Sequence, residues 1–153
     1  MGVVSHRRGD SEPGMTRIDI KVMRAIVIGA SSGIGLEVAK LLIGQGWTVG
    51  VAARRVELLQ DIGAAAVERI DVTADEATRA LRQLVEKTGG MDLFFYASGI
   101  GKQNRELKED IELATMQTNG VGFTRMIGEA YRYFASHGTS RSEERRVGKE
   151  CRS

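Results

Sequence analysis

The chain has 153 residues, with 22 Lys+Arg against 20 Asp+Glu, a formal charge of +2 and a hydrophobic share of 42%. That length suits one domain, and that apolar share is too high for general disorder. No apolar run reaches the roughly 18–20 residues of a membrane span, one Cys with two His builds neither an internal disulfide nor a zinc site, and so small a charge is no footprint for nucleic acid.

Residues 1–22 carry four basic and three acidic side chains and no sustained apolar period. They lack the apolar stretch of a secretory signal and read as a flexible arm or an over-extended start ahead of Met23. With no signal or anchor, the cytoplasm is the default compartment. Residues 23–140, with 13 basic and 14 acidic residues, are strongly patterned and read as the folded part.

Ala25-Ile26-Val27-Ile28 suits a strand buried on both faces. Ile34, Val38, Leu41 and Leu42 then recur at helical spacing, and Gly44 or Gly46 should stop that helix. Thr48–Ala53 reads as a second strand, Val56–Ile62 as a short helix, and the alternation of Ala65, Val67, Ile70 and Val72 as a third strand. Thr73-Ala74-Asp75-Glu76 has the form of a capping box. The helix it would open carries Ala77, Leu81, Leu84 and Val85 on one face and ends at Lys87–Gly90. Met91–Ala97 is a fourth strand, and a long helix is expected from about Ile111 to Ser136, with Phe123, Met126, Ile127, Ala130, Tyr131 and Phe134 in register. Strands alternating with helices call for parallel strands joined by right-handed crossovers. The expected fold class is α/β, a doubly wound parallel, Rossmann-like sheet, truncated after about four strands and the following long helix. Residues 141–153, RSEERRVGKECRS, resemble a translated sequencing adapter and read as an artefactual, disordered tail.

Glycine, at 19 residues, exceeds the usual share of roughly 7%. Its informative cluster is Gly29-Ala30-Ser31-Ser32-Gly33-Ile34-Gly35, between the first strand and the first helix. Gly29 suits the tight turn, Gly33 the approach of a pyrophosphate to the backbone, and Gly35 close packing of helix on sheet. The helix N-terminus offers free N–H groups and the positive end of its dipole. Ser31, Ser32 and Ile34 share that loop and count with it as cofactor-binding. At the end of the second strand an acidic residue would favour a free ribose 2′-hydroxyl. Here stand Ala52-Ala53-Arg54-Arg55, and two guanidiniums favour a 2′-phosphate, hence NADP(H) over NAD(H).

On these motifs residues 23–140 resemble the N-terminal half of a short-chain dehydrogenase/reductase, which spaces its loop glycines as Gly29, Gly33 and Gly35 are spaced. The resemblance implies that Asp71 accepts from the adenine amino group and that the Val72 backbone lies beside the ring. It implies that Tyr96-Ala97-Ser98-Gly99 takes the place of the family's Asn-Asn-Ala-Gly, with Ala97, Ser98 and Gly99 lining the cofactor but both asparagines gone. Asn119-Gly120-Val121-Gly122 resembles the family's Asn-x-x-Gly, whose Asn supports a proton relay to a catalytic Lys. The family's Tyr-xxx-Lys has no match: four residues after Tyr96, Tyr131 and Tyr133 stand Ile100, Ala135 and His137. The implied activity is hydride transfer between NADP(H) and a small-molecule carbonyl/alcohol substrate, with this chain holding the cofactor half and inactive alone. The intact protein would be a homo-oligomer, with no nucleic-acid or membrane partner and no metal. Two other readings stand beside it. One is a non-catalytic nucleotide-binding module. The other is an α/β-hydrolase, because Gly29–Gly33 also spells Gly-x-Ser-x-Gly with Ser31 as nucleophile.

Overall fold

A computed structural model describes residues 3–6, 17–101 and 103–137. Four parallel strands form the central sheet: β3 (Arg24–Ile28), β4 (Thr48–Ala53), β5 (Ala66–Arg69) and β6 (Leu93–Tyr96), in the order β5-β4-β3-β6. Within the stretch read as an arm, β1 (Val3–His6) and β2 (Arg17–Ile20) pair as a separate antiparallel ladder, which no sequence pattern announced. The expected tail, 141–153, lies outside the described residues.

Each strand feeds two cores, because successive side chains point to opposite faces. Ala25, Val27, Val49 and Val51 face one layer with Ala39 and Leu42 of α1 (Gly33–Gly44) and Leu59 of the 3₁₀ turn Val56–Leu59. Ile26, Ile28 and Ala52 face the other, under Leu81, Leu84 and Val85 of α2 (Ala77–Thr88) and Met126 and Ala130 of α4 (Phe123–His137). The chain builds outward from β3 to β5 and then returns to the far side of β3. Right-handed crossovers therefore put α1 and α2 on opposite faces. The reversal leaves a crevice at the carboxyl ends of β3 and β6.

Three expectations need correction. The capping box does not form: the Thr73 hydroxyl donates to Asp71, and Glu76, at the N-cap of α2, is itself helical and makes no side-chain cap bond. The long helix is α3 (Glu109–Met116) and α4 joined by a π turn, Gln117–Gly122, so it is one element with a wider turn in its middle. Of its six apolar positions only Met126 and Ala130 are buried and Phe134 is half-buried, while Phe123, Ile127 and Tyr131 are exposed. The face of α4 that packs on the sheet runs instead through Met126, Glu129, Ala130 and Tyr133, which leaves Phe123, Ile127 and Tyr131 on its outer side.

Candidate functional site

The crevice is lined by the four loops that leave the carboxyl ends of the strands. At the end of β3 the chain turns at Gly29, with φ of +83°. A β-carbon there would lie 2.6 Å from the Ser98 nitrogen and 2.7 Å from the Ala97 carbonyl carbon, so only glycine lets this turn touch the loop after β6. The N–H groups of Gly29 and Ala30 donate to the Ala52 carbonyl at 2.8 and 3.2 Å, and the Ala97 N–H donates to the Ile28 carbonyl at 2.8 Å. The loop backbone is thus tied to both neighbouring strands.

Ser31 is half-buried, and Ser32, Gly33 and Ile34 are exposed. Ser32 is the N-cap of α1 in extended conformation, yet its side chain makes no cap bond, and the first turn holds no acidic residue. The N–H groups of that turn have no intrahelical partner, and the positive dipole end is unneutralised. A β-carbon at Gly33 would meet nothing within 4 Å, whereas one at Gly35 would collide with the Gly29 carbonyl and stand 3.0 Å from the Ala97 β-carbon. Gly35 therefore sets α1 against the sheet, and Gly33 keeps the space over the helix N-terminus open.

Arg54 and Arg55 follow the buried Ala53 at the end of β4; both are exposed, and neither side chain makes a salt bridge or hydrogen bond to another described residue. Arg54 lies close enough to Asp71 to act on its charge. Asp71 Oδ1 accepts from the Thr73 hydroxyl at 2.7 Å and from the Thr73 N–H at 3.0 Å. These two bonds hold its carboxyl below the usual range; partial burial opposes them, and Arg54 and Arg69 lower it further. One oxygen thus holds a turn while Oδ2 makes no hydrogen bond to a described residue, so Asp71 has both a turn role and a free acceptor. Val72 is buried against Gly122, where a β-carbon would come within 2.7 Å of its Cγ2.

Beyond β6, the Tyr96 ring packs edge-on against Phe123 at 5.4 Å between centroids. Its hydroxyl is the one buried side-chain polar atom without a hydrogen-bond partner among the described residues. Burial pushes the phenol above its ordinary value, and the nearby Ser98 side chain offsets this in part without closing a bond. Ala97 and Ser98 are half-buried, and Gly99 is exposed. Asn119, inside the π turn, accepts from the Ile100 N–H at 2.9 Å and donates to the Ile100 carbonyl at 2.7 Å. Both groups of the amide are used on backbone, which joins the long helix to the loop after β6. The crevice thus brings together Gly29, Gly33, Gly35, Ala97, Ser98 and Gly99 on one side, and Arg54 with Asp71 on the other.

Among the described side chains the one histidine, His137, stands far from the glycine loop and gives Ser31 no triad partner. His137 is 18 residues along the helix from Asn119, roughly 27 Å at 1.5 Å per residue. It stacks on Tyr133, whose hydroxyl accepts from the Met91 N–H at the opposite end of β6. Sequence reading had Gly122 only as the end of the Asn-x-x-Gly motif, not as the seat of Val72, and it missed Arg125. Nothing in the local pattern flagged an arginine between Phe123 and Met126 as a partner of the loop after β5.

A parallel sheet reversing at β3, with a glycine loop opening onto a helix N-terminus, defines a Rossmann-like α/β protein. The short chain dehydrogenase family model matches residues 23–141, and the chain belongs to that family of oxidoreductases. It is 39% identical over 102 residues to an uncharacterised oxidoreductase of Listeria monocytogenes, covering 60% of this chain and 41% of the relative. It is 31% identical over 133 residues to short-chain dehydrogenase reductase 5 of Arabidopsis thaliana, covering 80% and 51%. Among solved structures, a variant of actinorhodin polyketide ketoreductase with NADPH superposes with a TM-score of 0.68 at 30% identity, over 78% of this chain and 51% of that one. A short-chain type dehydrogenase/reductase from Mycobacterium marinum gives 0.70 at 30% identity, over 76% and 51%. The chain spans about half the length of the curated relatives it matches. Among the described residues no helix is long and apolar enough to cross a membrane.

Proposed function

We propose that the protein transfers a hydride between NADP(H) and a small-molecule carbonyl/alcohol substrate, and that this chain is its cofactor-binding half. The observation that carries the reading is the open space over Gly33 at the unneutralised N-terminus of α1, with Arg54 near Asp71 across the crevice. The residues present fit a dinucleotide. The N–H groups of α1's first turn would hold the pyrophosphate, and Arg54 and Arg55 the 2′-phosphate, as planar donors suited to it. Asp71 Oδ2 would accept from the adenine amino group. Ala97, Ser98 and Gly99 leave room beside the nicotinamide ribose, and Asn119 fixes the backbone at Ile100. Bound there, the nicotinamide ring supplies or accepts the hydride. No tyrosine here precedes a lysine by four, so the reading assigns the proton donor to no residue of this chain. That the ketoreductase neighbour was solved with NADPH supports the cofactor class. The exposed Leu113, Met116, Phe123 and Ile127 along the long helix support pairing of intact copies there.

Nicotinamide fluorescence titrations of the full chain test the reading. NADPH should bind about tenfold more tightly than NADH, and Arg54→Glu should erase that preference. Equal affinities would remove the NADP assignment, and no binding of either would remove the dinucleotide site.

A further inference from the structure

The turn from Asp71 to Asp75 is held from outside, by one side chain of α4. Arg125 Nη1 donates to the carbonyls of Val72 at 3.2 Å and Ala74 at 2.7 Å, and Nη2 donates to Asp75 Oδ1 at 3.2 Å. The Arg125 side chain is 22% exposed and the Asp75 side chain wholly so. An ion pair to a carboxylate that exposed contributes little, so the two carbonyl bonds carry the contact. A planar guanidinium presents several donors at fixed angles, which suits two carbonyls of one turn.

From the helix it precedes the turn receives one backbone bond, the Ala77 N–H donating to the Ala74 carbonyl at 3.2 Å, and no side-chain cap from Glu76. Its internal bonds all converge on Asp71. The Thr73 N–H and hydroxyl reach Oδ1, and the Ala74 N–H reaches the Asp71 carbonyl at 3.0 Å. Arg125 takes the Val72 carbonyl, which those bonds leave over, and shares the Ala74 carbonyl with the Ala77 N–H. On the other side, Val72 is wedged against Gly122, three residues before Arg125.

We infer that Arg125 is a positioning residue for the adenine side of the cleft. By holding the carbonyls of Val72 and Ala74, it keeps the turn in the form that leaves Asp71 Oδ2 available to the base. The inference rests on the cofactor reading above and deepens it. Asn119 holds the loop after β6 from the π turn, and Arg125 holds the loop after β5 from the helix that follows. The two walls of the cleft therefore hang on one helix through separate side chains, and they can be loosened separately.

Two measurements on the full chain test this. Without nucleotide, Arg125→Met should speed amide exchange at Thr73 and Ala74 by about tenfold, leave β3 and α1 unchanged, and be partly reversed in Arg125→Lys. Arg125→Met should also weaken adenosine 2′,5′-bisphosphate about tenfold while reduced nicotinamide mononucleotide changes by less than about twofold. Asp75→Asn should alter neither readout. Unchanged exchange at Thr73 and Ala74 overturns the clamp. Exchange rising throughout the domain, or equal weakening of both ligands, makes Arg125 a general support and also overturns it. A wild-type chain that binds neither ligand removes the cofactor reading instead, and the exchange comparison still decides the clamp.

Discussion

The two ends of the central sheet are closed by different means. At the carboxyl ends, β3 and β6 meet through bare backbone: Gly29 against Ala97 and Ser98, and Gly35 against Gly29. At the amino ends, side chains do the closing. Asp92 accepts from the Arg24 N–H at 2.9 Å and pairs with Lys21 at 3.2 Å, and the Tyr133 hydroxyl accepts from the Met91 N–H at 3.1 Å. Toward that end α2 and α4 are also joined through Glu129, whose carboxylate takes Arg82 at 2.6 Å and Arg132 at 2.8 Å. Backbone contact leaves N–H groups and open volume beside it, which a ligand can use. Side-chain closure spends these polar groups on one another, so the cavity of about 480 Å³ beside Met91, Glu129 and Tyr133 has fewer of them free for a ligand.

Among substitutions at the two ends, the largest effect is expected at the backbone contact. Gly35→Ala puts a methyl group into the Gly29 carbonyl, and rigid backbone cannot yield as a flexible side chain does. A loss of about 3 kcal/mol is expected by urea unfolding. A loss under about 1 kcal/mol would mean the loop gives way and the contrast between the ends is wrong.

Next comes Glu129→Gln, at about 1–2 kcal/mol near neutral pH. Its carboxyl is held below the usual 4.5, first by the Arg82 hydrogen bond and then by Arg132, against the opposing effect of burial. A carboxyl depressed in the folded state stabilises above the unfolded-state value, and that stabilisation is lost as pH falls through the folded one. The wild-type advantage should therefore fade below about pH 4.5. An advantage that persists into strong acid would show that shape, not charge, joins the two helices. Tyr133→Phe, which leaves the Met91 N–H without its acceptor, should cost about 1 kcal/mol in thermal unfolding.

Gly33→Ala should have the smallest effect on stability, about 1 kcal/mol or less, because its β-carbon meets nothing and only the φ of +58° opposes it. Its effect on dinucleotide affinity should nonetheless exceed that of Tyr133→Phe. Equal affinities of the two variants would place the ligand elsewhere.

Much of this was legible in the chain. The first strand and the helix at Ala77–Thr88 follow from apolar spacing, since Ala25–Ile28 and Leu81, Leu84 and Val85 are buried where their periods require, whereas the alternation from Ala65 to Val72 misled: β5 ends at Arg69, with Val67 in one core and Ile70 and Val72 in the other. The glycine loop was legible because its requirements are local: a turn, a close approach and a helix start within seven residues. The Thr73–Glu76 reading failed because Asp71 offered Thr73 a nearer acceptor than the helix start did. The long helix was over-read because a period cannot reveal a π turn, and Asn119 and Gly122 fall inside it. A strand pair at residues 3–6 and 17–20 had no alternation strong enough to signal it.

The sequence alone therefore determined the fold class, the family resemblance and the position of the glycine loop. Each depends on spacing within a few residues, where chain geometry translates directly into which side chains share a face. Tertiary structure decided how the cleft is held. Arg125 meets Val72 at a separation of 53 residues, Tyr133 meets Met91 at 42, and Asn119 meets Ile100 at 19. No local period encodes such contacts. They exist because right-handed crossovers stack the long helix against the same sheet face as α2, and hydrogen bonds form only between groups that packing has already brought within reach.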